Sequence, residues 1–194
     1  MNFYHSAEII SAGCYRHTRR DAHHAAIYGR SFASLIEQLW PGTLPRDSRD
    51  RSRLQRWLRG EQGIPGIASA TTLTVWRRAE VVTAPLVLTL PRQLAGGTFD
   101  ALLLTDVFTV VSFVSAPPSP AVIRSATAEL GAAVAALADH HVLEVGCCVA
   151  ILAPPGEQAR AVTIHPQDCL TAWCEAWDCV RALHKPTPAP CHVA

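Results

Sequence analysis

Charged residues, and lysine above all, are scarce in this chain of 194 residues. Charged side chains make up 17% of it, the formal net charge is +1, and Lys185 is the single lysine. The small net charge argues against a strongly basic nucleic-acid module, and one lysine limits the amine chemistry available. Neither a glycine-rich phosphate loop nor a serine nucleophile elbow occurs in the sequence.

Long apolar runs are also missing. No stretch reaches the roughly 18 residues that span a bilayer, and residues 1–11 lack the basic start and apolar core of a signal peptide. We therefore expect a cytoplasmic protein without a membrane partner. Seven cysteines are an odd number for a disulfide framework, and a reducing compartment favours free buried thiols.

Apolar residues are abundant, at 49% of the chain, and the length suits one domain with a sizeable core. We predict a single domain over residues 1–185 and a frayed, proline-rich tail over residues 186–194. The sequence contains no internal repeat and no sign of a second domain.

The arginines are concentrated in one stretch of alternating charge. Its members are Arg46, Arg49, Arg51, Arg53, Arg56 and Arg59. One interpretation is a solvated helix face, because acidic residues interrupt the arginines. The other is a phosphate-facing surface that contacts nucleic acid.

Hydrophobic periodicity predicts three long helices and several strands. The helices span residues 21–40, 121–139 and 167–183, and the strands span 75–89 with a break at Pro85, 99–104, 107–114, 142–152 and 161–164. Ser119 is the expected N-cap of the middle helix. The order predicts an α/β fold: a mixed sheet, with an antiparallel meander, a crossover helix and a parallel strand, flanked by helices.

Two of the predicted strands form a hairpin with a polar position at its open end. If the hairpin is symmetric about Asp106, Asp100 lies opposite Ser112. Side chains alternate along a strand, so Asp100, Ser112 and Val114 share one face. An aspartate at the start of an apolar strand is costly to bury unless it is paired or bound to a metal.

The tetrapeptide Gly97-Thr98-Phe99-Asp100 opens this hairpin. In this succession of elements it resembles the corner of the PD-(D/E)XK nuclease superfamily, specifically the RecB-like exonucleases encoded by many phages. The resemblance covers roughly residues 28–183 and implies a restriction-endonuclease-like fold. It also implies two carboxylates that hold Mg²⁺ or Mn²⁺ and a lysine that orients the attacking water. The alternative is that the glycines form a mere turn and Asp100 is a capped edge residue.

Several positions depart from the family pattern. The family's acid-x-Lys triplet falls on Ser112-Phe113-Val114, so the second acid and the lysine are replaced by Ser112 and Val114. Ala33 takes the place of a ligand histidine, and Glu80 stands where a glutamate precedes the meander. The resemblance leaves Asp100 and Glu80 as vestigial catalytic residues, and as metal ligands only if the site is active. An arginine cannot replace the lysine as a base, because it stays protonated.

Two further groups have metal-capable side chains. Cys14, Cys169, Cys174 and Cys179 imitate the iron–sulfur distribution of some RecB-like nucleases. The late cysteines are five apart on a predicted helix, so each is rotated by about 140° from the last and they cannot converge. The early group around His23 and His24 matches no zinc template. We therefore predict no cofactor, with Mg²⁺ or Mn²⁺ only at an active site.

Three functions are consistent with these features. The first is a catalytically impaired nuclease-like protein that binds DNA or a nucleic-acid-processing protein, with the arginine stretch as the contact surface. The second is an active Mg²⁺- or Mn²⁺-dependent nuclease that uses Asp100, Glu80 and a relocated third group. The third is an interaction protein, for example a phage or prophage factor that blocks a host system.

Overall fold

The computed structural model describes residues 31–46, 80–83, 86–90, 93, 95–104, 106–141, 143–155, 157 and 159–183. The start of the first predicted helix, the arginines from Arg49 to Arg59, the early cysteine and histidines, and the tail lie outside these residues.

The described chain forms three helices and seven strands. In chain order they are α1 (Phe32–Leu39), β1 (Glu80–Thr83), β2 (Leu86–Leu90), β3 (Ala95–Phe99), β4 (Ala101–Leu104), β5 (Phe108–Val114), α2 (Pro120–His141), β6 (Val145–Leu152), β7 (Arg160–Ile164) and α3 (Pro166–Leu183).

The main sheet has five strands in the order β1-β4-β5-β6-β7. Only the pair β5 and β6 is parallel, and α2 makes the crossover between these two strands, as a parallel connection requires. The other pairs are antiparallel. This topology confirms the predicted α/β class with its meander, crossover helix and parallel strand. Strands β2 and β3 form a separate two-stranded sheet, which the sequence pattern did not predict.

Helix α2 begins where the sequence indicates. The Ser119 side chain accepts a hydrogen bond from the backbone N–H of Val122 at 3.2 Å, which satisfies one of the unpaired donors of the first turn. By length and composition, Pro120–Asp139 is apolar enough to cross a membrane, but 67% of this window is buried inside the protein. Most of this helix therefore packs inside the described fold.

The core lies on both faces of the main sheet. One face packs against the helices and the two-stranded sheet through residues such as Phe32, Leu102, Val110 and Trp173. A smaller cluster covers the opposite face and includes Leu103, Val111, Phe113, Val149 and Ile151. Alternate residues of β4 and β5 point to opposite faces of the sheet. Leu102 and Val110 therefore face the helices, whereas Leu103 and Val111 face the smaller cluster.

Candidate functional site

The chain bends at Asp100, between β3 in the small sheet and β4 in the main sheet. The register pairs Ala101 with Val111 and Leu104 with Phe108, so the hairpin is centred on Asp106 and Asp100 lies opposite Ser112, as predicted. The carboxylate is fully buried, and its Oδ2 accepts a hydrogen bond from the backbone N–H of Phe113 at 2.7 Å.

Gly97 has a packing function in this corner. A Cβ atom at Gly97 would lie 2.5 Å from Cδ2 of Phe32, a distance that buried groups do not tolerate. The Phe32 ring is fully buried and contacts Phe99 and Trp173 at centroid distances of 6.1 and 5.5 Å. The absence of a side chain at Gly97 therefore admits an aromatic ring of α1.

Glu129 of α2 completes a buried polar cluster with the hairpin. The Ser112 hydroxyl donates to Glu129 Oε2 at 3.2 Å, and both side chains are buried. Glu129 was not among the site residues predicted from the sequence. A signal was available: a helix buried on nearly all sides forces a mid-helix glutamate to find a partner.

Arg46 provides that partner from the segment that follows α1, which is bonded to α2 and to the residue after β5. Thr43 donates through its hydroxyl to Ser125 of α2 at 2.8 Å, and Pro45 accepts from the backbone N–H of Ser115 at 2.8 Å. These two bonds hold the segment in place. The Arg46 guanidinium then forms an ion pair with Glu129, with the arginine side chain 15% exposed and the glutamate 3%.

The same guanidinium has two further oxygen contacts. Its Nη1 donates to the backbone carbonyl of Thr98 at 3.1 Å, and its Nη2 donates to the Ser112 hydroxyl at 3.4 Å. We call Arg46, Asp100, Ser112 and Glu129 the Arg46 cluster. Arg46 was predicted as part of an outer nucleic-acid surface, whereas its guanidinium is directed into the protein.

The electrostatics of the Arg46 cluster are dominated by burial. Desolvation raises the pKa of Glu129 above its usual value, and the nearby Asp100 carboxylate raises it further. Arg46 and the Ser112 hydroxyl act in the opposite direction but do not cancel the effect of burial. Among the described residues, the Arg46 guanidinium thus places a positive charge on the buried Glu129 carboxyl group, which also senses the charge of Asp100.

Two solved structures of one exonuclease match the chain. The alkaline exonuclease LHK-Exo from Laribacter hongkongensis matches with 14% sequence identity, over 84% of this chain and 95% of that one, at a TM-score of 0.36. LHK-Exo in complex with dAMP matches with 14% identity, over 79% and 90% of the two chains, at a TM-score of 0.33. No family model matches the chain, and no curated protein does.

Glu80 is not brought beside Asp100 by the strand register. The Cα partner of Glu80 is Leu104, at the far end of β4 from the bend. Four strand positions separate Leu104 from Asp100, or about 13 Å at 3.3 Å per residue. A metal shared by Glu80 and Asp100 stays a prediction, and the nearer carboxylate is that of Glu129.

The structure also describes the three positions at which the sequence departs from the family pattern. Ala33 is half-buried on α1. Ser112 and Val114, which replace the family's acid and lysine, are both fully buried. Ser112 belongs to the Arg46 cluster, and Val114 belongs to the apolar core.

The late cysteines do not share an environment. Cys169 is buried, whereas Cys174 and Cys179 are exposed. Cys169 lies beside Cys148 of β6, and both thiols are in the core. Within the described part of the chain, no group of three or more histidine, cysteine, aspartate or glutamate side chains is arranged to hold a metal ion.

Proposed function

We propose that this protein is a nuclease-like domain that binds DNA without cleaving it. The observation that carries the proposal is the Arg46 cluster, in which a guanidinium is already bound to the buried Glu129 carboxylate, which senses the charge of Asp100. The resemblance of the corner Gly97-Thr98-Phe99-Asp100 to the PD-(D/E)XK family supplies the link to DNA. That link is one of fold-level analogy.

The residues present do not fit the divalent cation that the family would imply. Glu129 Oε2 is occupied by Arg46 and Ser112, and Asp100 Oδ2 accepts the N–H of Phe113. Val114 offers no amine where the family has its lysine, and the single lysine, Lys185, lies outside the described residues. Hydrolysis of a phosphodiester bond would need a free carboxylate set and a group to activate water.

The charge distribution along the chain supports a nucleic-acid surface in its first part. Twelve of the 17 basic residues precede Glu80, whereas ten of the 16 acidic residues lie from Glu80 onward. Arg46 anchors the start of the basic stretch on α2 and the hairpin. The five arginines that follow it are our candidates for phosphate contacts.

The test is equilibrium binding of fluorescent duplex and single-stranded DNA at several salt concentrations. We expect the logarithm of the association constant to fall with the logarithm of salt concentration, with a slope of about 0.9 per phosphate contacted on duplex DNA. Arg49→Ala combined with Arg53→Ala should reduce that slope by about 2. Arg181→Ala, on the exposed face of α3, is the matched control. Binding that ignores salt, or no binding to either form, would contradict the proposal.

A second candidate function is metal-dependent cleavage with Glu129 as the relocated acid. It is favoured by the proximity of two buried carboxyl groups, Asp100 and Glu129. Digestion of linear DNA with Mg²⁺ or Mn²⁺ distinguishes the two functions. Cleavage that is lost in Asp100→Asn and in Glu129→Gln would establish this candidate, and equal cleavage by all three proteins would indicate a contaminant. The asparagine keeps an oxygen for the Phe113 N–H, so the corner is preserved.

A protein partner is the remaining outcome. If DNA changes neither the melting temperature nor the anisotropy, and a tagged sample captures a defined protein, the interaction function replaces DNA binding.

A further inference from the structure

The guanidinium of Arg46 contacts the kinds of oxygen that a hard cation prefers. Its neighbours are the carboxylate of Glu129, the hydroxyl of Ser112 and the backbone carbonyl of Thr98. Divalent cations such as Mg²⁺ and Ca²⁺ also take oxygen ligands, chiefly carboxylates, carbonyls and water. These three oxygens come from three different elements and converge on one positive group.

Burial makes this positive charge necessary. The Glu129 side chain is 3% exposed, and Asp100 is fully buried. A buried carboxylate such as that of Glu129 is costly unless a positive charge or hydrogen bonds compensate it. Arginine keeps its charge at any pH at which the protein is folded and presents its donors in a fixed plane.

The position of Arg46 also closes the approach to Glu129. A divalent cation bound by a carboxylate lies at about 2.0–2.6 Å from its oxygen. Arg46 Nη2 holds the same oxygen, Oε2, in an ion pair, so a metal cannot reach this oxygen until the arginine has left.

We infer that Arg46 is the resident cation of the Arg46 cluster, in the role that a divalent metal ion would have, and that it covers a latent metal site formed by Glu129, Ser112 and the Thr98 carbonyl. The inference rests on the proposed function and deepens it, because it explains how the Arg46 cluster stays folded without a bound metal ion. It concerns the protein alone, so it is tested without DNA and can fail while DNA binding succeeds.

The experiment measures thermal unfolding with Mn²⁺ and with a chelator. Wild-type protein should show the same melting temperature in both. Arg46→Met removes the charge and keeps an apolar chain, so it should melt well below wild type in chelator and rise by roughly 5 °C or more in saturating Mn²⁺. Arg46→Met combined with Glu129→Gln should lose that rise, and Arg46→Lys should remain insensitive to Mn²⁺.

A second readout follows the metal directly. The Mn²⁺ electron paramagnetic resonance signal of the free ion should decrease on titration with Arg46→Met and stay unchanged with wild type. Mn²⁺ binding by wild type that Glu129→Gln abolishes would overturn the inference. It would also be overturned if Arg46→Met showed no more response than the double variant, or if it could not be recovered folded with or without Mn²⁺.

Discussion

Helix α2 has two buried contacts of opposite character, only two residues apart. Glu129 meets the hairpin and Arg46 through charges and hydrogen bonds. Gly131 meets α3 through backbone, since a Cβ there would lie 1.9 Å from the carbonyl oxygen of Cys169. The glycine contact is explained by close packing of two helices. The glutamate contact requires removing charges from water, which close packing alone does not explain.

The difference indicates which contact the fold needs. A buried ion pair can often be exchanged for apolar residues of similar volume without loss of stability, whereas a backbone-to-backbone approach has no such substitute. We therefore assign the Gly131 contact to folding and the Arg46 cluster to function or ancestry. Three measurements test this division.

The largest effect is expected from breaking the ion pair on one side. Arg46→Met should lower the free energy of unfolding by about 3–5 kcal/mol, because Glu129 stays buried without its partner. Arg46→Met combined with Glu129→Met should recover most of that loss. Urea unfolding of wild type, Arg46→Met, Glu129→Met and the double variant gives the coupling energy of the pair. If the double variant lost the sum of the two single losses, the cluster would be a requirement of the fold.

The next effect concerns the helix contact. Gly131→Ala should destabilise the protein by about 3 kcal/mol, because the added methyl group meets backbone atoms of α3. The sign is informative, since alanine otherwise stabilises a helix by about 1 kcal/mol relative to glycine. Arg124→Ala on the exposed face of α2 is the control and should change stability by less than about 0.5 kcal/mol. A stabilised Gly131→Ala would show that the two helices can separate.

The smallest effect is a pH dependence from Glu129. Burial, the largest cause, raises the pKa of Glu129 in the folded protein above 4.5, so the folded state binds this proton more tightly than the unfolded state. Its contribution to the free energy of unfolding is therefore lost as pH rises through the folded pKa. Glu129→Gln should remove this component from a urea series between pH 4 and 8. Glu175→Gln, exposed on α3, should leave the pH profile unchanged.

Sequence reasoning identified much of the fold because its signals are local. Ser119 marks the start of α2, where the structure shows it as the cap. The apolar run over residues 142–152 predicts a buried strand, and β6 lies there with most of its residues buried. The centre of the hairpin at Asp106 gave the correct facing of Asp100 and Ser112. The bend at Asp100, which divides one predicted strand between two sheets, leaves no local pattern because it depends on pairing with β2.

The Arg46 cluster was less accessible to sequence reasoning. Arg46 and Glu129 are 83 positions apart in the sequence, and neither lies at a periodic spacing from the other. Arg46 also stands at the head of an arginine-rich stretch, which favours a surface interpretation. The bonds of Thr43 to Ser125 of α2 and of Pro45 to Ser115, just after β5, place Arg46 so that its guanidinium meets Glu129.

The contact between Gly97 and Phe32 gives the folded protein its own reason to keep a glycine in the corner Gly97-Thr98-Phe99-Asp100. A mutation at Gly97 would be selected against for its effect on folding, whether or not the protein cleaves anything. The Asp100 carboxylate is similarly retained by its bond to the Phe113 backbone. Ser112 and Val114, at the positions where the resemblance implies an acid and a lysine, are held by different contacts: Ser112 by the Arg46 cluster and Val114 by the apolar core. Under the proposed loss of cleavage, we expect the packed residues of the corner to be retained longer than residues that only the reaction requires.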